Sequence, residues 1–173
     1  MKRTAVLAAL SLLAAPAIAA ETTVTMHSIS PSGVGPEIGT VFLDDSSDGL
    51  RVRTELKGLT PGPHGFHVHE NGSCEPGMKD GKMAAGIAAG GHFAPHGGKA
   101  HRGPQGDGHL GDLPVLNADA NGNANRTLTA PRLKVEAIQG KALMIHAGGD
   151  NYADKPEPLG GGGERVACGV IGR

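Results

Sequence analysis

The chain has 173 residues, a formal net charge of −1 and two cysteines. A net charge this close to zero gives no basis for expecting nucleic acid or an anionic membrane surface as a partner. The aromatic residues are three Phe and one Tyr, with no Trp, so Val, Leu, Ile, Met and Ala must build the core. Glycine is abundant, at 29 residues, but it falls between periodic segments, which is typical of a folded domain with many turns.

The first twenty residues have the features of a secretory signal peptide. Lys2 and Arg3 form a charged start, residues 5–15 are an apolar run too short to cross a bilayer, and small residues end the segment at 17–19. No later stretch is apolar enough to span a membrane. We therefore predict an exported protein in which residues 1–20 are removed and residues 21–173 form one domain.

Strand signals are frequent along the rest of the chain, and helix signals are nearly absent. The predicted strands, in chain order, are 22–29, 39–43, 50–56, 65–70, two strands within 113–130, 141–146 and 165–171. Asn121-Gly122 is a strong hairpin signal between the two strands of 113–130. Residues 79–89 look helical, but Gly81 and Gly86 interrupt them, so we expect a loop with one turn. About eight strands joined by turns predict an all-β sandwich or barrel.

Two long stretches without strand signals remain, at 71–112 and 147–164. Long loops inside a compact domain are uncommon unless they carry function. These two loops contain or adjoin most of the histidines of the chain. We therefore expect them to be ordered around a functional site.

The two cysteines have two interpretations. Export favours a disulfide between Cys74 and Cys168, because extracytoplasmic compartments are oxidising. Such a bond closes a loop of about 100 residues, for which the chain-entropy model allows roughly 4–5 kcal/mol of stabilisation. Alternatively, both thiols bind a metal. The disulfide is favoured, since neither cysteine belongs to a Cys-x-x-Cys pair.

Most of the histidines follow the spacing of metal ligands. His67-x-His69 lies in a predicted strand, so both side chains point to the same face. Imidazoles suit zinc and copper, and a carboxylate that joins three imidazoles suits zinc. One tetrahedral ion cannot use them all, so the chain binds two metals, or one metal with spare residues beside it. The further potential ligands are His92, His101, His109, Asp112 and His146.

Several motifs resemble the copper/zinc superoxide dismutases. They are Gly-Phe-His-Val-His-Glu at 65–70, Gly-His-Phe at 91–93, His-Leu-Gly-Asp-Leu at 109–113 and Gly-Glu-Arg-Val-Ala-Cys-Gly-Val-Ile at 163–171. Gly-Gly-Asp-Asn at 148–151 and the glycines at 160–163 are similar to the bacterial periplasmic branch. The resemblance implies an eight-stranded Greek-key β-barrel, an immunoglobulin-like sandwich with long metal-binding and electrostatic loops. It also implies a periplasmic enzyme that converts superoxide to dioxygen and hydrogen peroxide.

The resemblance also assigns roles to the ligands, with one copper and one zinc per subunit. His92 is the imidazole that bridges both ions and is also a catalytic residue, and Arg165 is the catalytic residue that holds superoxide. Asp150 is expected to hydrogen-bond a copper ligand and a zinc ligand. The implied copper ligands are His67, His69, His92 and His146, and the implied zinc ligands are His92, His101, His109 and Asp112.

The sequence departs from the animal enzymes after His146, where Ala147-Gly148 replace charged residues. Lys79 and Lys82 are candidates for guiding the anionic substrate instead. The sequence leaves monomer and homodimer open. A metal-delivery protein on the same barrel is the rival function, and Arg165 argues against it because a carrier needs no arginine beside its copper.

Overall fold

We describe a computed structural model of the chain at residues 21–98 and 100–172. The expected signal peptide, 1–20, lies outside these described residues. A short helix, α1 (Val135–Ile138), and two 3-10 turns at Ile87–Ala89 and Pro158–Gly161 accompany the strands. The strands are β1 (Thr22–Ser30), β2 (Gly33–Ser46), β3 (Gly49–Leu56), β4 (Gly62–His64), β5 (Phe66–His69), β6 (Gly77–Lys79), β7 (Lys82–Ala84), β8 (Leu116–Ala118), β9 (Ala124–Ala130), β10 (Ala142–His146) and β11 (Arg165–Val170).

Seven strands form one antiparallel sheet in the order β5-β10-β11-β1-β2-β3-β9. Only Gly65 separates β4 from β5, so the two are one strand interrupted at that glycine, and β4 pairs with β8. With β4 and β5 counted together, and the separate β6–β7 hairpin set aside, the described chain has the eight strands that were expected. The first and last strands, β1 and β11, lie side by side. The all-β barrel prediction is confirmed.

Alternation along the strands divides the core from the surface. In β3, Leu50, Val52 and Leu56 are buried while Arg51 and Glu55 are exposed. The core is aliphatic apart from two phenylalanines, as the composition required. A smaller cluster, which includes Met144 and Cys168, packs outside this core. Within the described part of the chain, no helix is long and apolar enough to cross a bilayer.

Two local predictions were only partly right. Residues 79–89 were expected to be a loop with one turn. The first part of this stretch belongs to the β6–β7 hairpin instead, and the one turn is the 3-10 turn at Ile87–Ala89. The two turn residues of the hairpin, Asp80 and Gly81, have φ of 51° and 78°, and positive φ at both central residues is typical of a type I′ hairpin turn. The Asn121-Gly122 turn is present, but β8 pairs with β4 and β9 pairs with β3, so no ladder joins β8 to β9.

The cysteine pair forms the predicted disulfide. The Sγ atoms of Cys74 and Cys168 are 2.01 Å apart, across 94 residues of sequence. The bond ties the loop after β5 to the middle of β11. This excludes the alternative in which both thiols bind a metal.

Candidate metal centre

The His-x-His pair lies on β5, at one edge of the seven-stranded sheet. His67 and His69 are both fully buried, and so are Phe66 and Val68. Phe66 and Val68 belong to the core cluster, so strand alternation turns both imidazoles to the opposite face. The prediction that the two histidines share a face is confirmed.

Two loop segments pair with the free edge of β5 and bring further candidate ligands to it. Backbone hydrogen bonds run from Phe93 N to Val68 O (2.8 Å) and from Val68 N to Gly111 O (2.8 Å). A Cβ at position 111 would lie 2.3 Å from Val68 O. Only glycine therefore allows this approach.

The same pairing sets two candidate ligands directly opposite the histidines of β5. His92 forms a β-bridge with His69, and Asp112 forms one with His67. Both are buried, His92 to 5% exposure and Asp112 to 1%. The described residues of the long loop 71–112 thus pack against the strand that carries the first two candidate ligands.

His146 reaches the centre from the end of β10. Its backbone N–H donates to Gly65 O at 2.8 Å, and its Nδ1 donates to Gly163 O at 3.3 Å. The β10–β11 register shifts between Ile145 and His146, which redirects the last residue of the strand. Gly162 packs against the ring, where a Cβ would come within 3.1 Å of it.

One four-residue group has only imidazole ligands. Each of its four histidines has one ring nitrogen that could bind a metal, and these four nitrogens lie within 4.8 Å of one another. The Nδ1 of His69 donates to Gly90 O at 3.0 Å, which leaves its Nε2 free for a ligand role, 3.4 Å from Nε2 of His146. The group comprises His67, His69, His92 and His146.

A second group combines imidazoles with one carboxylate. His67, His92, His101 and Asp112 also offer atoms within 4.8 Å of one another. The expected zinc set has His109 in place of His67. His109 Nδ1 lies 3.4 Å from Asp112 Oδ1, while His67 Nε2 is already hydrogen-bonded to Asp150. The structure therefore brings His109 to this group too.

Unpaired ring nitrogens support metal binding at both groups. Buried polar atoms are nearly always hydrogen-bonded, yet four buried imidazole nitrogens among the described residues have no hydrogen-bond partner. One of them lies 3.0 Å from Asp112 Oδ2 without forming a hydrogen bond. Two metal ions would account for all four atoms, and the donor sets suit copper or zinc in the first group and zinc in the second. The atoms are His67 Nδ1, His92 Nε2, His101 Nδ1 and His109 Nδ1.

Asp150 joins the two groups. Its carboxylate accepts hydrogen bonds from His67 Nε2 (2.8 Å) and His101 Nε2 (2.7 Å), and its side chain is fully buried. A Cβ at position 160 would lie 2.0 Å from Asp150 Oδ1, so this packing requires Gly160. These bonds leave Nδ1 as the atom that each imidazole can offer to a metal.

Burial keeps most of these imidazoles neutral, which is the form that binds metals. Burial lowers the pKa of His92 to about 4 and lowers the pKa of His69 and of His146 well below 6.5. The nearby charge of Arg165 lowers the last two pKa values further. His101 differs: burial lowers its pKa, but its close contacts with two carboxylates, Asp112 and Asp150, outweigh burial and raise it to about 9.

The two buried carboxylates near these imidazoles have lowered pKa values. Burial raises the pKa of Asp112, but the close contact with His101 and the hydrogen bond from His92 outweigh it and hold that pKa far below its usual range. Hydrogen bonds from His101 and His67 do the same for the pKa of Asp150. Both carboxylates are therefore ionised and available as a ligand and as an acceptor.

Arg165 is held beside the first group by the cysteine loop. Its two terminal nitrogens donate to Gly86 O (2.5 Å) and Gly90 O (2.7 Å), and burial lowers its pKa. Gly90 O also accepts from His69, so one carbonyl connects the arginine to the imidazole group. Cys168, three residues after Arg165, fixes the loop that supplies both carbonyls.

Some contacts at the centre were not expected. Arg132 donates to the backbone carbonyls of His109 (3.3 Å) and Gly108 (3.1 Å), and Asp154 accepts from the backbone N–H of His101 at 3.0 Å. Arg132 lies 23 residues from His109 along the chain, and no local motif marks it. The acidic loop after His146 is the only signal that could have indicated Asp154.

The similarity to known proteins agrees with this geometry. Residues 37–171 match the family described as Copper/zinc superoxide dismutase (SODC). The chain belongs to the copper/zinc superoxide dismutase family. It is 54% identical over 172 residues to Superoxide dismutase [Cu-Zn] of Brucella abortus biovar 1 (strain 9-941), covering 99% of each chain. It is 49% identical over 172 residues to the Escherichia coli (strain K12) protein of the same name, again covering 99% of each.

Solved structures show the same relationship. The copper/zinc superoxide dismutase from Brucella abortus matches with a TM-score of 0.86 and 55% identity, covering 88% of this chain and 99% of the other. The solution structure of the monomeric enzyme from Salmonella enterica matches with a TM-score of 0.79 and 54% identity, with the same coverage. Copper and zinc are the cofactors of this family.

Proposed function

We propose that the protein is a superoxide dismutase with a copper–zinc centre. The four-imidazole group, His67, His69, His92 and His146, would hold copper. The group with the carboxylate would hold zinc through His92, His101, His109 and Asp112. The observation that carries this proposal is the position of His92: its Nδ1 lies 3.0 Å from Asp112 Oδ1, while its buried Nε2 has no partner. One imidazole thus belongs to both groups.

The reaction converts two superoxide anions and two protons into dioxygen and hydrogen peroxide. Bound copper would supply a one-electron redox couple, and bound zinc a fixed positive charge. The residues of the chain must attract the anion, position it and deliver protons. Arg165 attracts and orients the anion, because it is a half-buried cation beside the imidazole group. His92 delivers a proton from Nε2 whenever that atom is not bound to a metal.

The carboxylates orient the imidazoles. Asp150 fixes the rings of His67 and His101 through their Nε2 atoms, so both present Nδ1. Such partners of metal ligands typically contribute 10- to 100-fold in metal affinity or activity. Lys79 lines the same groove as Arg165, which supports its role in guiding superoxide; Lys82 lies opposite it at the hairpin tip.

The rival function is metal delivery without turnover. A carrier needs ligands but no cation held beside them. Two backbone carbonyls and a loop fixed by the disulfide hold Arg165 in position. An arginine fixed beside the candidate copper ligands is expected in the enzyme and is not needed in a carrier. Metal analysis of the purified protein, combined with a superoxide dismutation assay, separates the two: a carrier would bind copper and show no turnover.

We further propose that the protein is exported to the periplasm. The apolar segment at 5–15, the cleavage signal at 17–19 and the disulfide support this. Cell fractionation and N-terminal sequencing test it, with Ala20 or Glu21 expected as the first residue. Light scattering of the purified protein distinguishes the monomer from the homodimer.

A charge series at Arg165 tests the anion site. A unit charge about 5 Å from superoxide is worth roughly 1–3 kcal/mol, or about 5- to 200-fold in rate. Arg165→Lys should keep much of the activity, Arg165→Ile should lose about tenfold and Arg165→Glu should lose more. The wild-type rate should fall more steeply with salt than that of Arg165→Ile.

The matched control is Arg126→Ile, which removes the same charge from the exposed face of β9. It should leave the rate nearly unchanged. If fully metallated Arg165→Ile and Arg165→Glu equalled the wild type at low salt, Arg165 would have no role in anion capture.

A further inference from the structure

The hairpin β6–β7 exposes two methionines that neither the core nor the proposed dismutase chemistry uses. Met78 is 64% exposed and Met83 is 48% exposed. They are direct partners in the antiparallel register, so their side chains leave the hairpin on the same side, with Cβ atoms about 4.5–5.5 Å apart. Met26 and Met144, by contrast, are fully buried.

Two thioethers at this separation can bind one soft cation. The methionine side chain is long and flexible, so both sulfurs can turn toward a common point. Soft thioether ligands select Cu(I), whereas carboxylates and imidazoles suit harder ions. No imidazole or carboxylate opposes another within this hairpin, whose other residues are Gly77, Lys79, Asp80, Gly81, Lys82 and Ala84.

The position of Met83 connects the pair with the four-imidazole group. Met83 and Arg165 line one groove of about 490 Å³. Beside this groove, a Cβ at position 86 would lie 3.0 Å from Met144 Cε and 3.4 Å from Arg165 Cδ. Met144 is the register partner of His67 across β10 and β5. Met83 therefore lies in the groove that reaches Arg165, and Met144 lies near both Gly86 and His67.

The charges of the hairpin do not block this site. Lys79 and Lys82 form the neighbouring register pair, and successive residues of a strand point to opposite faces. This alternation turns both lysines away from the methionine pair, although Lys79 still lines the groove together with Met83, and Asp80 lies between the two lysines in the turn. All three are exposed, so water and salt screen their effect on a monovalent cation.

We propose that Met78 and Met83 form a capture site for Cu(I), from which copper reaches the four-imidazole group. Capture by the thioethers is independent of the proposed dismutase function, and only the onward transfer of copper rests on it. No electron transfer is involved, because the ion enters and leaves the site as Cu(I).

Silver(I), a soft monovalent ion without accessible redox chemistry, tests the capture site. The fully copper- and zinc-loaded protein, with methyl-labelled methionine, is titrated with Ag(I) and followed by NMR. The methyl signals of Met78 and Met83, assigned from Met78→Leu and Met83→Leu, should shift together. The signals of Met26 and Met144 should stay in place. An absence of shifts, or shifts confined to the buried methionines, would overturn the proposal.

A copper-uptake experiment tests whether copper reaches the four-imidazole group by way of the methionine site. Zinc-loaded, copper-free protein is mixed with chelated Cu(I), and bound copper is measured over time. The double variant Met78→Leu/Met83→Leu should take up copper at least about tenfold more slowly, since even indirect partners of a metal contribute that much. Its final copper content should equal that of the wild type.

The matched control is Met26→Leu, which makes the same volume-conserving change in the core. It should take up copper at the wild-type rate. A double variant that also loads at the wild-type rate would overturn the entry role. Failure of the proposed function would look different: the loaded wild-type protein would bind silver at the hairpin but would not consume superoxide.

Discussion

Replacing Asp150 should weaken both metal groups at once, although Asp150 itself belongs to neither. In Asp150→Ala, the Nε2 atoms of His67 and His101 lose hydrogen bonds of 2.8 and 2.7 Å to a buried carboxylate. A hydrogen bond to a charged group contributes about 1.5–3 kcal/mol. Loss of one such bond therefore corresponds to roughly 10- to 150-fold in affinity at each group, which agrees with the usual effect of residues that orient metal ligands.

The assay is a competition titration of metal-free protein against chromophoric chelators, performed separately with zinc and with copper. Asp150→Asn should be milder, because its amide oxygen can still accept from one imidazole while its NH₂ group faces the other. The control is Asp48→Asn, the same change at an exposed turn, which should bind both metals normally. Wild-type affinity of Asp150→Ala for both metals would refute the idea that this carboxylate organises the centre.

Three further results are expected. Because the pKa of His101 is about 9, zinc binding at pH 7 should release about one proton from this residue, and zinc affinity should rise about tenfold per pH unit up to pH 9. Calorimetry in buffers of different ionisation enthalpy measures the number of protons released. Zinc binding without proton release would contradict the prediction. Cys74→Ser should lower the free energy of unfolding by about 2–5 kcal/mol, measured by chemical denaturation, and should loosen Arg165. Asp112→Ala should weaken zinc and also alter the electron paramagnetic resonance spectrum of bound copper; an unchanged spectrum after zinc loss would argue against a shared His92.

The raised pKa of His101 also affects the metal-free protein. A pKa raised from 6.5 to about 9 stabilises the folded state fully below pH 6.5, and this contribution disappears as the pH rises through 9. Thermal unfolding of the metal-free protein should therefore show a decline in Tm across this window. His101→Gln should remove most of that decline, and a decline of equal size in this variant would assign it to another group.

Local patterns in the sequence predicted the features that depend on neighbouring residues. Alternation placed His67 and His69 on one face of a strand, and the structure confirms it. The hairpin at 77–84 was missed because its strands have only three residues each. The Asp80-Gly81 turn was the signal present for it, and it resembles the Asn121-Gly122 signal that was recognised.

Contacts between distant segments could not be predicted in this way. The ladder between β4 and β8 depends on how the barrel closes, so the hairpin signal at Asn121-Gly122 indicated the turn but not the partner of each strand. Arg165 was identified through a resemblance, but nothing in the sequence indicated that Gly86 O and Gly90 O hold it. Backbone carbonyls have no sequence signature, because every residue has one.

The pairing of the two ligand-bearing segments with β5 has a consequence for the solubility of the protein. β5 is an edge strand, and an uncovered edge offers unpaired N–H and C=O groups to other chains. The backbone C=O of Val68 accepts a hydrogen bond from Phe93, and its N–H donates one to Gly111. The segments that contain Phe93 and Gly111 also carry His92 and Asp112. The candidate metal ligands therefore also anchor the cover of an aggregation-prone edge. Stripping the metals should increase self-association through β5, even where the barrel stays folded.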